Sequence, residues 1–365
     1  MQKNYLELIK KVRERSNPDL VQMTKMYSET LSGSKLFENK SIEYSDVSIY
    51  IKESMKGVAP SYTMNSKVAA NKVEAHLKKS HGNLVDFERQ GSVMTNTHIL
   101  KENDVDLVQI TNKSSEFDHK GLEKALNNTS VLKTEEILNL KKHKENFSPY
   151  QGNQIDDLKY VRLKSELVLS STYKTVDIEK ENSIYVKVTE PERDIDVVTA
   201  TYYKSVDFMK TNDKSRKGIQ IYNKKTGKIN DVDYPFLSIE RINVKDIISN
   251  RRLKNMIRFL KNIKYDCPHI ENKGSIRSFH INAICYNIDV KKYEDLHYLD
   301  LVSILYQELT NIISNKSYRD NIKSVDGCEY IFEFDCAKKL IEIEFLSQEL
   351  DSIIADLHNQ SLLVG

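Results

Sequence analysis

The chain has 365 residues, of which 39% are hydrophobic and 30% are charged, and its formal net charge is +2. This composition is typical of a globular protein with a sizeable core, and the near-neutral charge excludes a generally basic nucleic-acid coat protein. The charged N-terminus lacks the apolar core of a signal peptide, and no apolar run is long enough to predict a membrane-spanning helix.

The first 90 residues predict helices followed by one strand. Apolar residues at helical spacing predict helices over 3–15, 19–32 and 62–80. In the third helix we expect Val68, Val73 and Leu77 to face inward. The run 84–89 is typical of a strand, and it ends at Gly91-Ser92.

Gly91 and Ser92 are candidate phosphate-binding residues. A glycine at a strand end lets backbone N–H groups approach phosphate oxygens, because no Cβ stands in the way. The Ser92 hydroxyl adds a donor, and the Thr95-Asn96-Thr97 run after it is typical of a helix cap. A Gly-Ser pair is a weak signal by itself and gains meaning only from its position before the acidic strand described next.

Asp104 and Asp106 flank Val105 at the start of an apolar strand. Because residues two apart in a strand point to the same face, the two carboxylates would lie side by side. Such a pair repels itself unless a cation lies between the acids, and two carboxylates plus substrate phosphates suit Mg²⁺. The alternative is a surface strand with two solvated acids.

The region 111–245 predicts polar loops, helices and further strands. We expect loops at 114–121 and 146–153, and helices over 131–144 and 156–173. The second of these helices carries an apolar stripe of Leu158, Val161, Leu163 and Leu167. Strands are predicted at 183–188, 194–203 and 218–223, and the alternation of elements favours a mixed sheet over a doubly wound parallel one.

Asp196 is the candidate third carboxylate. It lies within the apolar strand 194–203, and Asp194 is the fallback because it points to the same face. A neighbouring strand that brought Asp196 to the first two acids would create a site for two metal ions, as in phosphoryl or nucleotidyl transfer. Tyr202 and Tyr203 follow, and they line either a base pocket or the core.

A basic helix is predicted over 246–264. At about 100° per residue, its cations fall in one sector and its apolar residues on the opposite side. This sector either is an ordinary solvated face or binds the β and γ phosphates across a cleft from the carboxylates. The cations are Arg251, Lys254, Arg258 and Lys261. Further helices are predicted over 274–288, 295–315 and 335–360. The sequence does not decide whether the last of these is one helix or two.

The four cysteines include no CxxC pair, which favours free thiols and a reducing cytoplasm. A zinc site from Cys267, His269, His280 and Cys285 is the alternative. Their irregular spacing favours ordinary core thiols instead.

These pieces, in this order, resemble the DNA polymerase β-like nucleotidyltransferases, and in particular the bacterial cGAS/DncV-like nucleotidyltransferases. The resemblance covers residues 60–290. Many members carry a proline where this chain has Thr199. The matching motifs are Gly91-Ser92, Asp104-Val-Asp106, Ile195-Asp196-Val-Val, Tyr234-Pro-Phe and the basic run from Asn250 to Lys261.

The resemblance implies an α+β fold in two parts: a nucleotidyltransferase core with a mixed twisted sheet and N-terminal helices over 1–240, and a helical domain over 241–365. A cleft between them would bind nucleoside triphosphates. Asp104, Asp106 and Asp196 would hold Mg²⁺ or Mn²⁺, while Gly91, Ser92, Lys254 and, with less support, Lys261 would bind the nucleotide phosphates.

The implied activity joins nucleoside triphosphates into a cyclic di- or trinucleotide with release of pyrophosphate, as a second messenger in bacterial anti-phage defence. The implied partner is a regulatory or effector protein encoded nearby. The resemblance does not imply binding to a membrane or to nucleic acid. Two alternatives remain: a toxin that nucleotidylates RNA or protein, and a catalytically silent nucleotide-binding module.

Overall fold

The computed structural model describes residues 3–17, 46–99, 105–271 and 274–364, with side chains described as far as 359. The contacts within the chain define two compact units. We call residues 63–94 and 105–240 the sheet unit, and the described parts of 1–62, 95–103 and 241–365 the helical unit. The predicted α+β class is confirmed.

Strands and helices alternate through the first two thirds of the described chain, and the last third is helical. The strands are β1 (Val85–Gln90), β2 (Val105–Phe117), β3 (Thr175–Asp177), β4 (Ser183–Thr189), β5 (Glu192–Lys204), β6 (Lys217–Asn223) and β7 (Lys228–Asp233). The helices are α1 (Tyr5–Ser16), α2 (Asp46–Met55), α3 (Pro60–His81), α4 (Ser92–Thr95), α5 (His119–Asn127), α6 (Thr134–Glu145), α7 (Gln154–Thr172), α8 (Val206–Thr211), α9 (Pro235–Ile248), α10 (Arg252–Asp266), α11 (Ser278–Asn287), α12 (Asp300–Ser314), α13 (Lys316–Asp320) and α14 (Cys336–Val364).

The sheet is mixed, as predicted. Its strands run in the order β1-β2-β5-β4-β3, and β6 pairs with both β5 and β7. Only the central pair β2–β5 is parallel, whereas the other described pairs are antiparallel. β1 therefore forms one edge, and the two acid-bearing strands β2 and β5 are neighbours at the centre.

Successive side chains of each strand point to opposite faces of the sheet. One face packs against α3 and α7 through a cluster that includes Leu77, Leu107, Leu169, Ile184 and Val197. The other face carries the smaller cluster of Val108, Ile110, Val198, Ala200 and Ile219. Asp106 and Asp196 alternate with Leu107 and Val197, so they belong to this second face.

The helical unit has its own hydrophobic core, to which the N-terminal helix contributes. Tyr5, Ile9 and Val12 of α1 belong to the same buried cluster as residues of α10, α12 and α14. Arg15 of α1 makes a two-pronged ion pair with Asp266 of α10, with N–O distances of 2.7 and 2.6 Å. The contacts divide the chain between residues 240 and 241, and residues before 63 group with the helical unit rather than with the sheet.

The single helix predicted over 246–264 is wrong. α9 ends at Ile248, and α10 begins at Arg252. The break arises because Asn250 and Arg251 both have positive φ angles, of 49° and 67°. The buried carboxylate of Asp246 then accepts the backbone N–H of Lys254 at 3.0 Å, which satisfies a donor in the first turn of α10.

Several smaller expectations also differ from the structure. The loop predicted over 114–121 is wrong, because β2 continues to Phe117 and α5 begins at His119. Val68, Leu163 and Leu167 are exposed rather than inward-facing. α14 is continuous, so the break left open within 335–360 is absent. The helix predicted over 19–32 lies outside the described residues.

No helix in the described part of the chain is both long and apolar enough to cross a membrane.

Candidate active site

The site is built on one row of residues that crosses the sheet from strand to strand. Gln90 at the end of β1 pairs with Asp106 near the start of β2. Asp106 pairs with Asp196 on the parallel strand β5, and Asp196 pairs with Tyr185 on β4. Since neighbouring strands are about 4.8 Å apart, the register places Asp106 and Asp196 side by side on one face. Asp104 lies outside the described residues.

The Gly91-Ser92 turn begins where this row meets the edge strand. Gly91 directly follows Gln90 and has a φ of 92°, a conformation that favours glycine. Ser92 then opens the short helix α4. The turn therefore directly follows the residue that pairs with Asp106. It belongs to the same unit as both described acids.

Asp196 is held by two side chains that sequence reasoning missed. The Lys180 ammonium donates to its two carboxylate oxygens at 2.9 and 3.1 Å, and the Ser183 hydroxyl donates to it at 2.9 Å. The fallback acid Asp194 instead accepts a 2.7 Å hydrogen bond from the Tyr185 hydroxyl. No spacing in the sequence signals these contacts, because they depend on the β4–β5 register and on the fold of the segment before β4.

A buried arginine fixes the segment that carries Lys180 and Ser183. Arg162 of α7 is fully buried, and its guanidinium donates to the carbonyl oxygens of Ile178, Lys180 and Ser183 at 2.8–3.2 Å. Its Nε donates to Glu166 at 2.7 Å. Arg162 is thus a positioning residue, because it orients the backbone from which both partners of Asp196 extend.

The two described carboxylates fit a hard divalent cation. Their donor set is all oxygen, which Mg²⁺ and Mn²⁺ favour over softer ligands. The Lys180 ammonium lies 2.9 Å from Asp196, so this carboxylate is ionised and already pairs with one cation. Among the residues that the structure describes, no group of three or more His, Cys, Asp and Glu could hold a metal ion. The third ligand of the predicted set, Asp104, lies outside that search.

The basic residues predicted to bind phosphate lie on α10, in the helical unit. The Lys254 ammonium contacts Asn243 at 2.7 Å and lies 3.7 Å from Asp246, and burial lowers its pKa. Lys261 is only 1% exposed. Arg258 is also buried, and its guanidinium donates to the carbonyl oxygens of Met55 and Asn96 at 2.7 Å. The sector of cations on α10 is therefore not a solvated face.

The cysteines do not form a metal site within the described residues. All four are free thiols, and Cys267 and Cys285 are buried. Burial raises the pKa of both buried thiols, which keeps them protonated and unreactive at neutral pH. Their burial is what was expected of core thiols.

Comparison with known proteins gives consistent matches. A family model described as the cGAS/DncV-like nucleotidyltransferase C-terminal helical domain matches residues 240–354. A c-di-GMP synthase of Capnocytophaga granulosa is 39% identical over 98% of this chain and 99% of its own length. Another, from a Lachnospiraceae bacterium, is 37% identical over 86% of this chain and 89% of its own. The solved structure of a STING-associated CdnE c-di-GMP synthase from Flavobacteriaceae sp. is 98% identical, with a TM-score of 0.88 and coverage of 99% and 100%.

Proposed function

The chain belongs to the cGAS/DncV-like nucleotidyltransferases as an enzyme that joins nucleoside triphosphates into a cyclic dinucleotide, and we propose that its product is cyclic di-GMP made from two molecules of GTP. The structural observation that supports metal-dependent nucleotidyl transfer is the pairing of Asp106 with Asp196 at the centre of the sheet. The choice of guanine, and of a dinucleotide over a trinucleotide, is supported by what the two relatives are named for.

The proposed reaction consists of two like rounds. In each round a ribose hydroxyl oxygen loses its proton to solvent and bonds to the α-phosphorus of a triphosphate. The bond from that phosphorus to its leaving oxygen breaks, and pyrophosphate departs. Asp106 and Asp196, with Asp104 as the expected third acid, would hold Mg²⁺ or Mn²⁺. The ion would lower the pKa of the attacking hydroxyl and neutralise the charge on the phosphates.

The chain's own side chains supply orientation. Lys180 and Ser183 hold both oxygens of Asp196, so the carboxylate cannot rotate freely away from the row it shares with Asp106. We retain Gly91 and Ser92 as ligands of the triphosphate because of their place beside Gln90. Lys254 remains the proposed phosphate ligand of the helical unit, and the buried Lys261 is the less favoured one.

We also propose a recipient for the product. The 98%-identical solved structure is described as STING-associated, which supports a STING-type protein as the effector that binds this enzyme's cyclic dinucleotide. Anti-phage signalling in the bacterial cytoplasm is the setting in which we place this exchange.

The test is to incubate the pure protein with each of the four ribonucleoside triphosphates, singly and mixed, in Mg²⁺ or Mn²⁺. Products are treated with phosphatase and identified by mass. We expect phosphatase-resistant cyclic di-GMP from GTP alone and from the mixture. Asp106→Asn and Asp196→Asn should each lower the rate by about 100- to 1000-fold, the equivalent of roughly 3–4 kcal/mol of lost charge stabilisation.

The matched control is Asp231→Asn, which alters an exposed aspartate of the outer strand β7 and should keep the wild-type rate. A mixed-base or three-nucleotide product would contradict the proposed product. Labelled RNA or protein in place of a small cyclic product would instead favour the toxin alternative.

A further inference from the structure

The sheet unit contains a cavity next to the acid-bearing face that the chemistry above does not use. Its volume is about 820 Å³, which is within the range of small-molecule sites. Residues of β1, β5 and β6 line it together with the start of α9. The lining residues that could contact a nucleotide base are Asp86, Glu88, Tyr202, Lys217 and Phe236. All of these residues belong to the sheet unit.

Strand register connects this cavity with the catalytic row. Glu88 lies two residues before Gln90 on β1 and pairs with Val108, whereas Gln90 pairs with Asp106. Glu88 therefore points to the same face as Asp106, one strand across and two residues along, with a Cα separation of roughly 8 Å. A nucleotide with its α-phosphate at the carboxylates has its base at about this distance, so Glu88 lies within reach of the base.

The Glu88 carboxylate is exposed and held in place from one side. The Tyr202 hydroxyl hydrogen bonds to it, and burial together with the charges of Glu88 and Asp86 raises the pKa of Tyr202, so the phenol stays protonated as a donor. A carboxylate has about four acceptor positions, so one phenol leaves room for further donors. The Lys217 ammonium lies 4.4 Å from the centre of the Tyr202 ring on the same side of the cavity.

These groups match guanine better than adenine. The Watson–Crick edge of guanine presents two adjacent donors, N1–H and N2–H₂, which one carboxylate can accept in parallel, as it does with arginine. Guanine O6 and N7 are acceptors that suit an ammonium group. Adenine places an acceptor, N1, where guanine has a donor, so its N1 would face the Glu88 oxygens and repel them. The rings of Tyr202 and Phe236 offer apolar surface for either base.

We propose that Glu88 determines the base specificity of the enzyme by accepting hydrogen bonds from N1–H and N2–H₂ of guanine in this cavity. Tyr202 is a positioning residue that orients the Glu88 carboxylate, and Lys217 donates to the O6 and N7 edge. This inference rests on the proposed synthesis of cyclic di-GMP, since it identifies the side chains that would select GTP.

The experiment compares binding of GTP and inosine triphosphate, which lacks only the 2-amino group. Titration calorimetry is performed with Mg²⁺ on proteins that all carry Asp196→Asn, so that turnover is suppressed equally. With Glu88 present, GTP should bind at least tenfold more tightly than inosine triphosphate, because a hydrogen bond to a charged acceptor is lost with the amino group. In Glu88→Ala this ratio should fall to about one, and in Glu88→Gln to an intermediate value.

The control is Glu123→Ala, an exposed glutamate of α5 outside the cavity, which should preserve the ratio. An unchanged GTP preference in Glu88→Ala, or no preference while Glu88 is present, would overturn the inference. Because the experiment measures binding, its outcome is independent of the proposed product. If the enzyme makes cyclic di-GMP but Glu88→Ala keeps the wild-type ratio of GTP to inosine triphosphate affinity, Glu88 does not select the base and the proposed reaction still stands.

Discussion

The acid-bearing row of the sheet unit and the cations of α10 in the helical unit use charge in opposite ways. In the sheet unit, Asp106 and Asp196 are half-buried next to each other in one row, and the nearest described cation to Asp196 is a lysine whose side chain is 39% exposed. In the helical unit, Arg258 and Lys261 are buried inside the packing of α10. Asp196 contacts a cation that solvent reaches, whereas Arg258 of α10 satisfies carbonyl groups inside its own unit.

The contrast shows how backbone geometry determines where charged side chains lie. A strand places alternate residues on one face, and pairing with a neighbour brings like charges together wherever the register requires it. A helix spreads its long basic side chains over adjacent helices and loops, where they can satisfy carbonyl groups that would otherwise be buried without a partner. Arg258, which donates to Met55 and Asn96, is an example of the second case.

The largest expected effect tests this structural role for the basic residues of α10. Arg258→Met should lower the free energy of unfolding by about 3 kcal/mol, because two buried carbonyl groups lose a charged donor. Urea unfolding at pH 7 measures the change. Burial lowers the pKa of Arg258 to about 10, so the side chain is still charged under these conditions.

The control is Arg251→Met, which removes an arginine side chain that is 70% exposed and whose guanidinium lies 3.3 Å from Asp246. We expect a loss below about 1 kcal/mol there, as is usual for exposed ion pairs. If the two variants lost equal stability, burial would not explain the role of Arg258, and the contrast between the units would fail.

The same contrast explains which parts of the molecule could be predicted from the sequence. The acid-bearing strands were predictable because alternation is visible in one dimension, and two apolar strands that each carry a DxD pattern limit the possible registers. The choice of Asp196 as the third acid rests on its depth in the strand and stays a prediction, and the structure places Asp196 beside Asp106. Lys180 was not predictable, because its approach to Asp196 depends on a segment that Arg162 fixes from another helix.

The basic helix shows the complementary limit. Helical spacing indicates which residues share a side, but it does not indicate whether that side meets solvent or another helix. The break at Asn250 and Arg251 had no glycine or proline to mark it. Neither the burial of Lys261 nor the separation of α9 from α10 could therefore be inferred from periodicity alone.

The next effect concerns a feature that the two units share. Each contains a histidine whose pKa burial lowers to about 4: His81 in the sheet unit, 2.8 Å from the Ser165 hydroxyl, and His280 in the helical unit. The folded state binds these protons less readily than the unfolded chain, where a histidine titrates near 6.5. The stability they confer is therefore complete above pH 6.5 and is lost as the pH falls toward 4.

We expect the wild-type free energy of unfolding to fall between pH 7 and pH 5, with roughly 1–2 kcal/mol of the loss due to each histidine. His81→Gln and His280→Gln should each reduce that difference, and His76→Gln, the same change at an exposed position, should leave it as in the wild type. A reduction confined to one variant would mean that buried histidines behave differently in the two units, which would sharpen the contrast drawn from the arginines.

The smallest effect concerns the cation beside the acids. Because the Lys180 side chain is 39% exposed, its pair with Asp196 should add less than about 1 kcal/mol to stability. The same ammonium would compete with a divalent ion for the carboxylate oxygens in the proposed site. Lys180→Met should therefore tighten Mn²⁺ binding about three- to fivefold, as expected for removing a positive charge at a distance where it contributes on the order of 1 kcal/mol.

Binding of Mn²⁺ can be followed by electron paramagnetic resonance without nucleotide, so the readout does not depend on turnover. Lys113→Met, which removes an exposed lysine paired with Asp157 and lying seven residues beyond Asp106 on β2, is the matched control and should leave Mn²⁺ affinity unchanged. Weaker binding in Lys180→Met would mean that the lysine mainly orients Asp196 rather than competing for it. In that case Lys180 would serve as support, as Arg258 does, and the acid-bearing row and α10 would differ only in what their acids do.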